Sequence, residues 1–286
     1  MASQVLETLA RSPTDAALYF ALGKAEFARS PRRPLAHTLF RTARCLDRTL
    51  PGLDEMIRAT SASLAPVINL DPNVYARTRT VADELARLKG SSGPCSVIDV
   101  GGGRGDLVRF LDADDDYFLA EPSINGISGD DIPFPDKSMD FTASSHVLEH
   151  VMPERRVAFL DSMARIARKA FVVLVPVEIG GGARVAERLQ FFIDIMDAKW
   201  AKEHLACSHP TPEFFRAYAA ERGFALTACP VGNTCATSAL VLMKHYASLN
   251  KRNQEQVRVN RFFNQHFHAK LSHPPDSDQY MFTFVP

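Results

Sequence analysis

From residue 95 onward, short apolar runs of strand type alternate with amphipathic segments of helical period. Residues 96–100 form the first predicted strand and 117–120 the second. Residues 139–144 form the next, and 171–175 (Phe-Val-Val-Leu-Val) are apolar throughout, as in a strand buried on both faces. Residues 224–228 and 280–285 close the series. Helices are predicted from about Asp106, over 146–167 with a break near Pro153, and over 183–206, 211–222, 238–250 and 254–267. This alternation predicts an α/β fold with a doubly wound, mostly parallel sheet. In such sheets ligands bind beyond the carboxyl ends of the strands, at the switch point.

The chain before residue 95 reads as helical. Leu22, Gly23, Ala25 and Phe27 precede a Pro/Arg turn, and Ala36, Phe40, Ala43 and Leu46 follow it. With one inserted turn residue this run resembles a single tetratricopeptide repeat, two antiparallel helices locked by small and aromatic side chains. One repeat cannot bury its own face. It is therefore either a cap on the main domain or a surface for a protein partner. A connection with Pro66, Asn69 and Pro72 leads to a helix carrying Val74, Val81, Leu85 and Leu88 on one face, ended by Gly90 to Pro94. The expected division is an α-helical extension over 1–65 and a main domain over 66–286, with its core at 95–230 and a helical insertion and closing strand at 236–286.

Composition narrows the function. Hydrophobic residues make up 46% of the 286, enough for a sizeable core. Lys+Arg 33 against Asp+Glu 33 lacks the basic excess of a general nucleic-acid binder. The five cysteines are scattered, with no CxxC pair, so neither a zinc site nor a disulfide framework is expected, and a cytoplasmic location is. No run reaches the ~18 apolar residues of a membrane span, and no signal-type apolar stretch leads the chain.

The chemistry gathers at Asp99-Val100-Gly101-Gly102-Gly103-Arg104-Gly105-Asp106, between the first strand and a predicted helix. Glycines there permit positive φ and let a ligand sit against the backbone, and the N-terminus of a following helix would favour an anionic group. A dinucleotide site wants GxGxxG, whereas here Gly101, Gly103 and Gly105 alternate and Asp106 stands where a nicotinamide enzyme has glycine or alanine. That spacing leans to S-adenosylmethionine (SAM) over NAD. Glu121 ends the second strand, 22 residues after Asp99. Its two acceptor oxygens suit the two hydroxyls of a ribose, for either cofactor. Asp130 or Asp131 can accept from an adenine amino group, and Ile132 can cover the ring.

Three stretches together carry a resemblance: Val97 to Leu107, Gly129-Asp130-Asp131-Ile132-Pro133-Phe134-Pro135-Asp136-Lys137-Ser138-Met139-Asp140-Phe141, and Ser145-His146-Val147-Leu148-Glu149-His150-Val151. In this order they resemble class I SAM-dependent methyltransferases, in the branch marked by "LPFPDxSFD" and "SHVLEHV". Met139 replaces the usual phenylalanine, and only eight residues separate Glu121 from Asp130. The resemblance implies a Rossmann-like fold, with SAM held by Asp99, Gly101, Gly103, Gly105, Glu121, Asp130 or Asp131, Ile132 and Ser145. The enzyme's task is then chiefly in-line alignment of donor and acceptor. A hydroxyl acceptor also needs a base, for which His146 and His150, four apart at a predicted helix start, are the candidates. A pocket-shaping role for both is the alternative. A metal site of His146, Glu149 and His150 lacks a further acidic ligand, and no metal is expected.

The segment Trp200-Ala201-Lys202-Glu203-His204-Leu205 resembles the "W-x-x-E-H-L" element of methyltransferases of sugar and surface-polysaccharide synthesis. Glu149, Trp200, Glu203 and His204 are accordingly candidate acceptor contacts, or else helix-stabilising residues. The tail carries Arg252, Arg258, Arg261 and Lys270 among Phe262, Phe263 and Phe267. It is either a packed amphipathic helix or a surface for anionic lipid. The expected function is methyl transfer from SAM to a small-molecule or surface-glycan acceptor, at oxygen. The alternatives are a catalytically silent SAM-binding module that recruits a partner, and a NAD-dependent oxidoreductase.

Overall fold

The computed structural model describes residues 2–30, 34–179, 183–268, 277 and 279–286. Four helices lead the chain, α1 (Ala2–Arg11), α2 (Ala16–Arg29), α3 (Pro34–Leu46) and α4 (Leu53–Ser63), followed by α5 (Pro72–Lys89). Then come β1 (Ser96–Val100), β2 (Asp116–Ala120), the single turn α6 (Pro122–Asn125), β3 (Met139–Ser145), α7 (Arg156–Ile166) and β4 (Ala167–Pro176). The chain continues through α8 (Ala183–Met196), α9 (Lys199–Cys207), α10 (Pro212–Arg222), β5 (Ala225–Val231), α11 (Thr234–Leu249), α12 (Asn253–His266) and β6 (Gln279–Val285). The six strands form one sheet in the order β2-β1-β3-β4-β6-β5. β1 pairs parallel with β2 and β3, and β5 pairs antiparallel with β6, a mixed α/β, Rossmann-like sheet. Val97, Ile98 and Val100 of β1 and Val172 to Val175 of β4 are buried, as apolar runs of this kind require.

The chain falls into two compact units. The first comprises Met1–Pro66, Thr78–Ser144 and Ala158–Phe171, and the second Val67–Arg77, Ser145–Val157 and Val172–Pro286.

In the first unit α3 is a core helix. Every residue from Ala36 to Ala43 is buried, polar ones included. Burial of polar side chains is tolerated when their partners are fixed, and here they are. Thr38 Oγ1 donates to the Arg104 carbonyl (2.8 Å), Arg41 donates to the carbonyls of Asp112 (3.0 Å) and Asp115 (2.8 Å), and Thr42 Oγ1 accepts from Leu119 N–H (3.3 Å). α2 closes on α3 where Gly23 meets the Phe40 ring: a Cβ at Gly23 would lie 2.6 Å from it. Tyr19 of α2 accepts from Asn125 Nδ2 (2.8 Å), whose Oδ1 in turn accepts from Glu121 N–H (3.0 Å). The N-terminal helices thus pack into the strands and turns that carry the glycines, and both faces of α3 are consumed in doing so.

His37 lies 3.0 Å from Thr60 Oγ1 and is held down to about 4 by burial, with Arg41, Arg109 and Arg44 adding to the effect. A base whose folded pKa is depressed stays neutral while the unfolded chain protonates near its ordinary value. Stability therefore falls as pH drops below about 6.5 and goes on falling to about 4, by roughly 3 kcal/mol for this group alone. Urea unfolding at pH 7 and pH 5 should show the loss, and His37→Gln should remove this group's share of the pH dependence in that window.

In the second unit, Leu189 and Phe192 of α8 and Ala198 and Ala201 beside and within α9 form a buried cluster, extended by Val241 and Leu242 of α11. Phe215 of α10 stacks on Phe282 of β6 at 3.9 Å between centroids. α12 turns Asn260 and Asn264 inward. Asn264 Nδ2 donates to the carbonyls of Ile68 and Leu70 (both 2.9 Å), and Arg261 donates to Asn69 Oδ1 (3.0 Å). This basic-aromatic helix is therefore packed on residues 68–70; Lys270 lies outside the described residues.

Several elements differ from the sequence expectation. The helix expected from Asp106 is a 3₁₀ turn over Asp106–Arg109. Acidic side chains at 112, 114, 115 and 116 follow it, where they would oppose the negative end of a longer helix. Asp115 instead accepts from Cys95 N–H (2.9 Å) and Asp112 N–H (3.2 Å). The stretch 146–167 is two 3₁₀ turns, Leu148–His150 and Pro153–Arg155, before α7 and the start of β4. His146 and His150 therefore share no helix face. Residues 183–206 divide into α8 and α9 at Asp197, which has φ 51°.

Candidate functional site

The glycine turn of the first unit is built around one buried carboxylate. Asp99, 3% exposed, accepts from Tyr117 Oη at 2.7 Å. Burial and the Asp99 charge push the Tyr117 phenol well above its ordinary range, so it remains a donor. Gly102 lies over this carboxylate, and a Cβ there would come 2.1 Å from Asp99 Oδ2. Gly101, Gly103 and Gly105 have φ of 71°, 58° and 76°, the left-handed region that glycine alone enters without strain. At Gly105 a Cβ would also strike Thr38 at 2.3 Å, whereas at Gly103 it would meet nothing within 4 Å. Gly103 N–H donates to Glu121 Oε2 (3.0 Å), and Glu121 Oε1 accepts from Ser123 N–H (3.2 Å) and Ser123 Oγ (2.7 Å). Thus Gly103 and Glu121 come together beside open space, and Asp99 lies beneath the turn, shaping it. Because the segment after Gly105 is a single 3₁₀ turn, the cradle consists of turn amides and carries no α-helix dipole.

The remaining donor-site candidates of this unit are placed as follows. Asp130 accepts from Ser128 Oγ, and Asp131 is exposed. Ile132 is 1% exposed and its N–H donates to Ser162 Oγ (3.3 Å), so its side chain belongs to the core and offers no bare face to an adenine ring. The Pro-Phe-Pro-Asp-Lys loop is clamped to α7. Arg165 donates to the carbonyls of Phe134 (2.6 Å) and Ile132 (2.8 Å), and Lys137 Nζ to those of Ala164 (3.2 Å) and Ala167 (2.9 Å). A cation on the last carbonyls of a helix is favourable on both hydrogen-bond and dipole grounds. This motif fixes the loop to the end of α7.

The second unit holds a histidine cluster. Ser145 Oγ is buried without a hydrogen-bond partner among the described residues. The next residue, His146, has φ 57°, donates its N–H to the Leu174 carbonyl (2.8 Å) and places Nδ1 3.2 Å from Glu149 Oε1 and Nε2 3.2 Å from Gln279 Oε1. Glu149 is fully buried. Burial raises its pKa, but His146 and then His204 lower it more, and it stays below the usual carboxylate range. His204 of α9 is 8% exposed and is held down to about 3 by burial, partly offset by Glu149, so its ring is neutral. Its Nε2 lies 3.2 Å from His150 Nε2 and its Nδ1 3.1 Å from His209 Nε2, while His150 Nδ1 lies 3.2 Å from Glu203 Oε2. Arg156 holds the two contributing segments together by donating to the carbonyls of Val151 (3.0 Å), Cys207 (2.8 Å) and Ser208 (2.7 Å). Arg156→Ala should lower the melting temperature by several degrees, the loss of about 3 kcal/mol of charge-assisted bonding, as differential scanning fluorimetry would read.

This cluster borders a cavity of about 590 Å³. His146, Glu149, His150, Trp200 and His204 line it, and Arg188 and Lys244 add positive charge. Trp200 packs edge-on to His204, 5.5 Å between centroids. Glu203 is not among the lining residues; it is largely exposed and reaches the cluster through His150. The sequence reading missed His209, whose place five residues after His204 next to Pro210 gave no local sign that it would meet the other rings.

Residues 114–174 match the family described as "Methyltransferase domain". No curated protein matches. Among solved structures, the chain is similar to the plantazolicin methyltransferase BamL in complex with a desmethyl analogue and SAH (11% identity, 88% of this chain and 97% of that one, TM-score 0.47). It is also similar to phosphoethanolamine N-methyltransferase 2 of Haemonchus contortus in complex with SAM (12% identity, 72% of this chain and 52% of that one, TM-score 0.45). A third is a protein of Anabaena variabilis described as a methyltransferase from an antibiotic biosynthesis pathway (15% identity, 73% of this chain and 99% of that one, TM-score 0.47). No helix among the described residues is long and apolar enough to cross a membrane. Over that stretch the chain is similar to the methyltransferase domain, whose methyl donor is SAM.

Proposed function

We propose that the protein methylates an oxygen of a small-molecule or glycan acceptor taken up in the cavity of the second unit, with His146 as the base. One observation carries this reading: His146, lining the cavity, is backed through Nδ1 by a fully buried carboxylate, Glu149, at 3.2 Å. A carboxylate behind an imidazole fixes the tautomer with the proton on Nδ1 and supports the charge that appears when Nε2 takes a proton. The Gln279 amide, 3.2 Å from Nε2, stands where an acceptor hydroxyl would bond. The sulfonium of SAM needs only alignment with that oxygen, and the oxygen becomes a good nucleophile as its proton leaves. Of the residues expected from the sequence, we assign His146 the role of base, and Glu149, Trp200 and His204 line the cavity beside it.

The test is transfer of a tritiated methyl group from SAM into a cell extract, followed by fractionation of the labelled product. Wild type should label one small-molecule or glycan fraction. His146→Ala should lower turnover at least 100-fold with SAM affinity unchanged, and His146→Gln should not restore it. Unchanged turnover in His146→Ala, or a label recovered on nitrogen or carbon of the product, would contradict the reading.

A further inference from the structure

We propose that Glu149, His150 and His204 form a binding site for a divalent transition-metal ion of the zinc class. One ligand atom from each lies within 4.8 Å of the others. His150 Nε2 and His204 Nε2 are 3.2 Å apart, and Glu149 Oε1 is 3.9 Å from His204 Nε2. Donors held about 2.0–2.1 Å from a tetrahedral ion stand roughly 3.3 Å from one another. The two imidazoles already have that spacing, and the carboxylate is within a small side-chain adjustment of it.

Two further observations point to a ligand. Glu149 is fully buried; His146 Nδ1 lies 3.2 Å from its Oε1, and its Oε2 has no hydrogen-bond partner among the described residues. A buried carboxylate left so incompletely satisfied is costly unless a cation completes it. The second lies in the outer nitrogens of the two rings. His150 Nδ1 is 3.2 Å from Glu203 Oε2, and His204 Nδ1 is 3.1 Å from His209 Nε2. Imidazole ligands almost always give their other N–H to a carboxylate or similar acceptor, which turns the opposite lone pair toward the metal. His150 has a carboxylate there and His204 has the His209 ring, and with the protons on the two Nδ1 atoms the Nε2 lone pairs converge on the position proposed for the cation.

Two imidazoles and one carboxylate suit zinc, cobalt or iron(II), and are a poor set for magnesium or calcium, which prefer oxygen. Three protein ligands leave one position open on the cavity side for water or an acceptor oxygen. That the ion would bind the acceptor oxygen and make its proton easier to remove rests on the methyl-transfer reading; the site itself does not.

The experiment is calorimetric titration of the EDTA-stripped full-length protein with zinc, and with cobalt(II) read by visible absorption, with SAM titrated into the same samples. The expected result is one zinc per chain and a four-coordinate cobalt spectrum. His150→Ala, at an exposed position, and His204→Ala should each weaken zinc at least 100-fold, Glu203→Gln about tenfold, and His266→Ala not at all. No zinc binding by wild type, binding undiminished in His150→Ala with its circular dichroism intact, or magnesium binding as tightly as zinc would each overturn the proposal. SAM binding that persists in those samples would show that the metal site has failed and the donor site has not.

Discussion

Gly102→Ala should abolish SAM binding and cost about 3 kcal/mol of stability. A Cβ at this position would lie 2.1 Å from Asp99 Oδ2 and 2.4 Å from its Cγ. The carboxylate cannot retreat, because it is buried and held by the Tyr117 hydroxyl at 2.7 Å. The turn itself must open, which takes Gly103 away from Glu121. Gly103→Ala is the informative partner. Its φ of 58° is strained for alanine by about 1–2 kcal/mol, but the added methyl meets no protein atom within 4 Å. That variant should stay folded and still lose SAM affinity at least tenfold, because the space the methyl enters is the space proposed for the ligand. Calorimetry with SAM and thermal unfolding of both variants separate the two effects. A Gly102→Ala protein with wild-type melting temperature would refute the packing account of the turn.

Removal of residues 1–65 should leave a chain that neither folds nor binds SAM. The expectation rests on α3, which is buried on all sides and reaches the glycine turn through Thr38. Its Arg41, 3% exposed, and Arg44 satisfy the carbonyls of Asp112, Ala113 and Asp115 in the loop before β2. Arg41→Ala alone removes the buried guanidinium's bonds to the Asp112 and Asp115 carbonyls and should cost about 3 kcal/mol. Circular dichroism of the truncated chain would show loss of the cooperative unfolding transition; a folded, SAM-binding product would show the helices to be a dispensable appendage.

Much of the architecture was legible because burial imposes period two on strands and 3.6 on helices. The apolar strand at 171–175 and the glycine turn at 101–105 both stand where their patterns place them. The element after the turn was not legible in the same way. Leu107, Val108, Phe110 and Leu111 have a helical rhythm, but the acidic run that follows is better served by pairing with Lys89, Arg41 and the Cys95 amide than by ending a helix. Local pattern carries no trace of those distant partners. The same holds at the histidine cluster. His150 and His204 are separated by 54 residues, so a count of ligands within 146–150 did not bring His204 into view. The partners of α3 at Asp112, Ala113 and Asp115 likewise lie far along the chain, so its sequence read as a hairpin that either caps the main domain or meets a protein partner.

The most direct measurement is calorimetric titration of the purified protein with SAM and, separately, with NAD. One SAM per chain with a dissociation constant in the micromolar range or below, heat lost in Gly103→Ala, and no heat with NAD are the predicted results. No heat with SAM, or binding of NAD that Gly103→Ala removes, would contradict the account.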